Sequence, residues 1–168
     1  APAHPRWAER PVFAPPYREI GRVPALYSSG NPLDGRNVRT AMGPPFLDLK
    51  FNFMGGGDSD FLSRSAQKGF VLGWCAEAKV QETVPARRVE ADWIRARSLR
   101  NGVISTLVEK KKRAGTPLAS AKVLLKSLAL LAASPLRGMA RLARAGSPAI
   151  AIYPVHVALG RVMAEFVY

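Results

Sequence analysis

Before Pro85 the apolar residues of this chain fall in short alternating runs, whereas beyond it they recur every three or four positions. The first spacing suits a half-buried strand and the second one face of a helix, so the change limits where a sheet can lie. In FLDLKFNF the residues Phe46, Leu47, Leu49, Phe51 and Phe53 predict a short strand. FVLGWC and AKVQETV predict two more, around the turn-like Ala76-Glu77. After Pro85, the series Val89, Trp93, Ala96, Leu99, Val103, Leu107 and Val108 predicts a long helix, with a possible interruption at Asn101-Gly102. The cationic cluster at 110–113 suits that helix's C-terminus. The reading is a mixed α/β unit over 21–102 and a mainly helical segment over 103–168. Residues 1–20 are read as an irregular proline-rich segment, since six prolines lie within the first 25 residues.

The last fifty residues carry a second pattern. On a helical wheel, Lys122, Lys126, Arg137, Arg141 and Arg144 share one face, and Leu124, Leu128 and Leu131 take the other. Pro135 and Gly138 are expected to split the stretch into two helices. The apolar run between Lys126 and Arg137 is far shorter than the ~20 residues that span a bilayer, so a flat membrane-surface helix is preferred to a span. An amphipathic helix docked on the protein core is the equal alternative. The final segment, PAIAIYPVHVALGRVMAEFVY, is nearly long enough to span, but Pro154, His156, Arg161 and Glu165 point to a buried or interfacial helix.

Charge follows the same division. Residues 1–85 hold 10 Lys+Arg and 8 Asp+Glu, and residues 86–168 hold 15 and 4, a net +2 against +11. The second half is therefore expected to meet an anionic surface. The single Cys75 excludes an internal disulfide, and His4 and His156 lack zinc-ligand spacing. Nothing at Ala1 reads as a signal peptide, and the chain is expected to be a fragment.

Between FLDLKFNF and FVLGWC lies MGGGDSDF, three glycines set against two aspartates. Gly55, Gly56 and Gly57 permit unusual backbone angles, and Asp58 or Ser59 can cap the following helix, for which Phe61, Leu62 and Ala66 are the apolar positions and Gly69 the C-terminal stop. That structural account stands beside a chemical one. GxSxG, GxxxxGK[ST] and HExxH are all absent.

Taken in order, YSSGN, FLDLKFNF, GGGDSDF, the stretch with Trp74, VQETVP, Arg88, Trp93, Arg97 and Gly102 resemble the C-terminal half of bacterial inverting glycosyltransferases of the succinoglycan-biosynthesis type. The similarity runs from about Gly21 to Gly102 and is weaker beyond. It implies an incomplete C-terminal half of a GT-A fold with a small mixed sheet, acting on the acceptor side and followed by amphipathic helices. By this resemblance Asp58 is the catalytic base that takes the acceptor hydroxyl proton. Gly56, Gly57, Asp60, Asn31, Trp74, Arg88 and Trp93 are the implied acceptor- or substrate-binding positions, with Arg88 and Trp93 beside the donor diphosphate. Gly57 stands where many members carry Glu, so a second carboxylate is not available there.

The implied partners are a nucleotide-sugar donor, a lipid-linked or polysaccharide acceptor and an anionic membrane surface, and not nucleic acid. The implied place is the cytoplasmic side of the inner membrane, held peripherally. A divalent metal, Mg²⁺ or Mn²⁺, is expected in the complete enzyme, but its Asp-x-Asp motif is absent from residues 1–50. Asp58 and Asp60 imitate that spacing, and a metal pair there ranks below the base reading. The alternative function is a basic peripheral-membrane or scaffold module without chemistry. A nucleic-acid binder suits the charge, but the basic half shows no helix-turn-helix, zinc-finger or RNA-binding strand pattern.

Overall fold

The structure, a computed structural model, describes residues 17, 19–26, 33–80 and 83–167. The described residues form two compact units, one within 15–82 and one within 83–168. Asn31 and the YSSGN stretch lie outside the described residues, as do nearly all of residues 1–20.

The first unit runs β1 (Gly21–Arg22), α1 (Arg36–Met42), a 3-10 turn (Leu49–Phe51), α2 (Gly57–Gln67) and β2 (Gly73–Trp74). β1 and β2 pair antiparallel, with Gly21 opposite Trp74 and Arg22 opposite Gly73. Among the described residues this two-residue ladder is the whole sheet, so the expected GT-A half with a mixed sheet is not what forms. A strand requires a neighbour for its backbone groups, whereas a helix satisfies them within itself.

FLDLKFNF shows how the strand reading fails. The Asp48 carboxylate accepts the Lys50 N–H at 2.9 Å and turns the chain into the 3-10 turn. Of its large apolar side chains only Phe51 is buried, and Phe53 is fully exposed. FVLGWC contributes only the two residues of β2, and the described part of AKVQETV forms no strand. The helical readings of this unit hold. α2 starts at Gly57 without a side-chain cap, so Asp58 and Ser59 lie within its first turn rather than capping it, and it ends before Gly69, whose φ of 88° is left-handed.

The second unit is helical throughout: a 3-10 turn (Ala86–Val89), α3 (Ala91–Lys112), α4 (Ala119–Ala132), α5 (Ser134–Ala145), α6 (Pro148–Ala151) and α7 (Tyr153–Val167). α3 continues unbroken through Asn101-Gly102, well inside its span. It runs parallel to α7, as a ladder of contacts shows. Asn101 bonds the Tyr153 hydroxyl at 3.1 Å, the Thr106 hydroxyl donates to the Arg161 carbonyl at 3.3 Å, and Lys110 pairs with Glu165 at 2.9 Å.

The buried stripe of α3 is Ile94, Ser98, Gly102 and Thr106, not the larger apolar series read from the sequence. Small side chains let the two backbones meet: Gly102 lies against the Val157 carbonyl, and Gly160 against the Leu99 carbonyl. A Cβ at either glycine collides with backbone. α4 and α5 divide at Ala133, with Pro135 in the first turn of α5, close to the break expected from the sequence. Gly138 lies within α5 rather than at its edge, and a Cβ there would stand 2.7 Å from the Ala151 carbonyl.

Candidate functional site

The glycine-aspartate motif forms a sharp entry into α2. Gly55 and Gly56 have φ of 79° and 93°, a region that side-chain-bearing residues rarely occupy. Gly56 is the residue before the helix, and its carbonyl receives the Asp60 N–H at 2.9 Å. Gly57 is already helical, and a Cβ there would make only ordinary contacts with Leu47 and Phe51. Two of the three glycines are thus required by backbone shape. The third is not.

The turn delivers two carboxylates to the positive end of α2, where unpaired N–H groups favour negative charge. Their surroundings differ. Asp60 is 1 % exposed and accepts a 2.7 Å hydrogen bond from Arg64 Nε. Arg64 Nη2 in turn donates to the Phe46 carbonyl at 2.6 Å, tying α2 to the segment before it. Lys68 makes a similar tie, donating to the Ala41 carbonyl at the end of α1 at 2.7 Å. Asp58 is half-buried, and one of its carboxylate oxygens accepts the Ser59 N–H at 2.8 Å.

Asp58 shares its helix face with Phe61, three residues on. Phe61 lines an open depression of about 190 Å³ together with Asp34, Arg39, Phe46 and Leu47. Asp34 and Arg39 meet there through two hydrogen bonds, at 2.7 and 3.0 Å. The Arg39 hydrogen bond holds the Asp34 carboxyl below its ordinary range. The depression therefore offers apolar and aromatic surface beside a fixed ion pair, next to the face that carries Asp58.

Asp58 and Asp60 are two residues apart on a helix and do not face each other. Asp60 is also committed to Arg64. The pair therefore does not fit a single divalent ion, and among the described residues no group of three His, Cys, Asp or Glu side chains comes together.

The remaining positions named from the sequence lie elsewhere. Trp74 sits on β2 with its ring centroid 5.9 Å from that of Tyr17, and Tyr17 donates to the Ala25 carbonyl at 2.9 Å. The Trp74 indole N–H is buried without a hydrogen-bond partner among the described residues. Arg88 and Trp93 belong to the second unit. The Arg88 guanidinium lies 5.9 Å from the Trp93 ring centroid and that of Arg97 lies 5.8 Å away, so the indole carries two cationic neighbours.

Two further features, centred on Arg64 and Glu109, lie outside the residues that the sequence singles out. Arg64 was legible, because Asp60-x-x-x-Arg64 is the spacing of a helical ion pair. The cluster around Glu109 was not. The Glu109 carboxylate receives Lys126 Nζ at 2.9 Å and Arg161 Nη2 at 2.8 Å, and Arg161 also donates to the Ser105 hydroxyl at 3.0 Å. Its members are spread over three helices.

No protein-family model, curated protein or solved structure matches the chain. Fold and site define a mainly helical protein of two units, the first carrying an acidic helix entry and the second a basic bundle packed on small residues.

Proposed function

We propose that this chain handles the acceptor in an inverting glycosyltransferase, with Asp58 as the general base. The observation that carries this reading is the division of labour at the start of α2. Arg64 engages the buried Asp60, while Asp58 is half-buried three residues before Phe61, which lines the depression. Asp60 is buried in an ion pair, and the resemblance assigns the base to Asp58. The reaction class comes from the resemblance of the ordered motifs to those of the succinoglycan-type enzymes.

In that reaction an acceptor hydroxyl gives its proton to the Asp58 carboxylate as its oxygen bonds to the anomeric carbon. The bond from that carbon to the nucleoside diphosphate breaks on the opposite side, and configuration inverts. Phe46 and Phe61 offer flat apolar faces suited to the C–H side of a sugar ring. A divalent metal at the donor diphosphate belongs to the proposal, but the residues described here do not assemble a site for it, and no step is assigned to it. The acceptor is proposed to be lipid-linked or a growing polysaccharide at an anionic membrane on the cytoplasmic side.

Asp58→Asn in a polypeptide that also supplies the donor-binding half is the decisive variant. The amide keeps the size but cannot accept the proton, so turnover is expected to fall about 10²–10⁴-fold with KM for the donor little changed. Near-normal turnover in a correctly folded variant would remove the base assignment. A second reading, a basic membrane module without chemistry, is favoured by the arginine-rich face of α5. It predicts membrane binding with no transfer in any longer polypeptide.

A further inference from the structure

The second unit buries small polar side chains in its interior and leaves large apolar ones exposed. Ser98, Thr106, Ser127 and Ser134 lie buried beside glycines and the aliphatic Ile94, Val123 and Ile150, whereas Leu125 is 70 % exposed, Leu136 69 % and Met139 62 %. The buried serines are satisfied locally. Ser127 donates to the Val123 carbonyl at 2.9 Å and Ser134, across the α4–α5 break, to the Leu131 carbonyl at 2.7 Å, so each finds its partner within four residues along the chain. Packing of this kind gains mainly van der Waals contact between close backbones and buries little apolar area. In water the outward leucines and methionines oppose it. Against acyl chains they do not.

α5 shows which surface covers them. It separates charged from apolar side chains more sharply than α2, α3, α4 or α7. Ser134 and Gly138 face the bundle, Arg137 and Arg144 are exposed on a second face, and Leu136, Met139 and Leu142 are exposed on a third. Arg141 lies over the Tyr153 ring at 4.9 Å. A helix with cations along one side and bare apolar residues along another fits the boundary between anionic headgroups and acyl chains. α3 carries Arg95, Arg97 and Arg100 towards one end and Lys110–Lys112 at the other, and the parallel α7 packs along it. Only about a dozen ångströms of uncharged helix separate those clusters, well below the ~30 Å of a hydrocarbon core.

We propose that the helices from Ala119 to Phe166 are embedded together in one leaflet of an anionic membrane. Leu125, Leu136 and Met139 reach the acyl chains, and Arg137 and Arg144 meet the phosphates. This deepens the membrane part of the functional reading and is independent of sugar transfer, so its test uses no transfer assay.

The experiment is flotation of the full chain with sealed vesicles of phosphatidylglycerol and phosphatidylcholine, at low salt and after washing in about 1 M NaCl, where the Debye length falls to about 3 Å. Most of the bound chain is expected to remain after the wash and to be released by detergent. Leu136→Glu with Met139→Glu is expected to cut binding at least tenfold at both salts. Arg137→Gln with Arg144→Gln is expected to weaken capture by anionic vesicles several-fold and leave binding to neutral ones unchanged. Circular dichroism in detergent establishes that each variant is folded. A tag after Tyr168 is expected to stay open to a reagent outside the vesicles. Release of the wild-type chain by salt, a stable lipid-free oligomer that ignores vesicles, wild-type binding by the double glutamate variant, or protection of the tag would each overturn the proposal.

Discussion

Arg64 holds the buried Asp60 carboxylate at 2.7 Å and passes a second hydrogen bond to the Phe46 carbonyl, so one guanidinium joins the start of α2 to the segment that precedes it. The arrangement makes Asp60 a positioning residue for the turn on which Asp58 stands. Arg64→Met removes the charged partner of a buried carboxylate and is expected to destabilise the first unit by about 1–3 kcal/mol. Asp60→Asn is expected to lower stability with a smaller effect on turnover than Asp58→Asn. Denaturant midpoints and turnover measured on all three variants check the separation, and equal stability of wild type and Arg64→Met would refute the tie.

The glycines of the motif are expected to respond unequally. Gly55→Ala and Gly56→Ala force a side chain into left-handed backbone and are expected to cost about 1–2 kcal/mol each. Gly57→Ala occupies a helical position with room for a methyl group and is expected to be neutral or to stabilise by up to ~1 kcal/mol. Thermal unfolding of the three single variants distinguishes them. A large loss in Gly57→Ala would show that its neighbours are closer than the structure places them.

Gly102 and Gly160 set how closely α3 and α7 approach. Gly102→Ala places its Cβ against the Val157 carbonyl, so the helices must part, at an expected cost of 2 kcal/mol or more, roughly the upper range of overpacking effects. Gly115→Ala meets no neighbour, and its cost is confined to the left-handed φ of 80°. Unfolding in a mild nonionic detergent compares the two, and a tolerated Gly102→Ala would contradict the close crossing.

Glu109 makes the second unit sensitive to acid. Burial pushes its carboxyl up, but the hydrogen bonds from Lys126 and Arg161 outweigh burial and leave it below the ordinary value of 4.5. A depressed folded value means that the unfolded chain binds the proton more readily. The stabilisation is therefore present above pH 4.5 and is lost as pH falls through the folded value. Glu109→Gln is expected to lower the unfolding midpoint at pH 7 and to flatten its fall as pH drops below 4.5. A wild-type acid slope in this variant would exclude Glu109 as its source.

The sequence alone determined those features whose causes are local. The glycine entry and the stop of α2, the long helix after Pro85 and the break near Pro135 follow from backbone preference and three- to four-residue spacing. The alternation in FLDLKFNF did not determine a strand, because a strand exists only where another supplies its ladder, and Asp48 offered Lys50 a nearer partner. Nor did apolar spacing reveal the inner face of α3. Counting large residues favours Trp93, Leu99 and Leu107, whereas backbone proximity to α7 selects Ser98, Gly102 and Thr106. Tertiary structure also assigned the two aspartates their different surroundings, since the Phe46 carbonyl that anchors Arg64 lies eighteen residues away. It gathered Glu109, Lys126 and Arg161 as well, which no spacing connects. Local sequence encodes backbone angles and helix faces. Which face turns inward depends on the surface it meets, and that surface comes from distant parts of the chain.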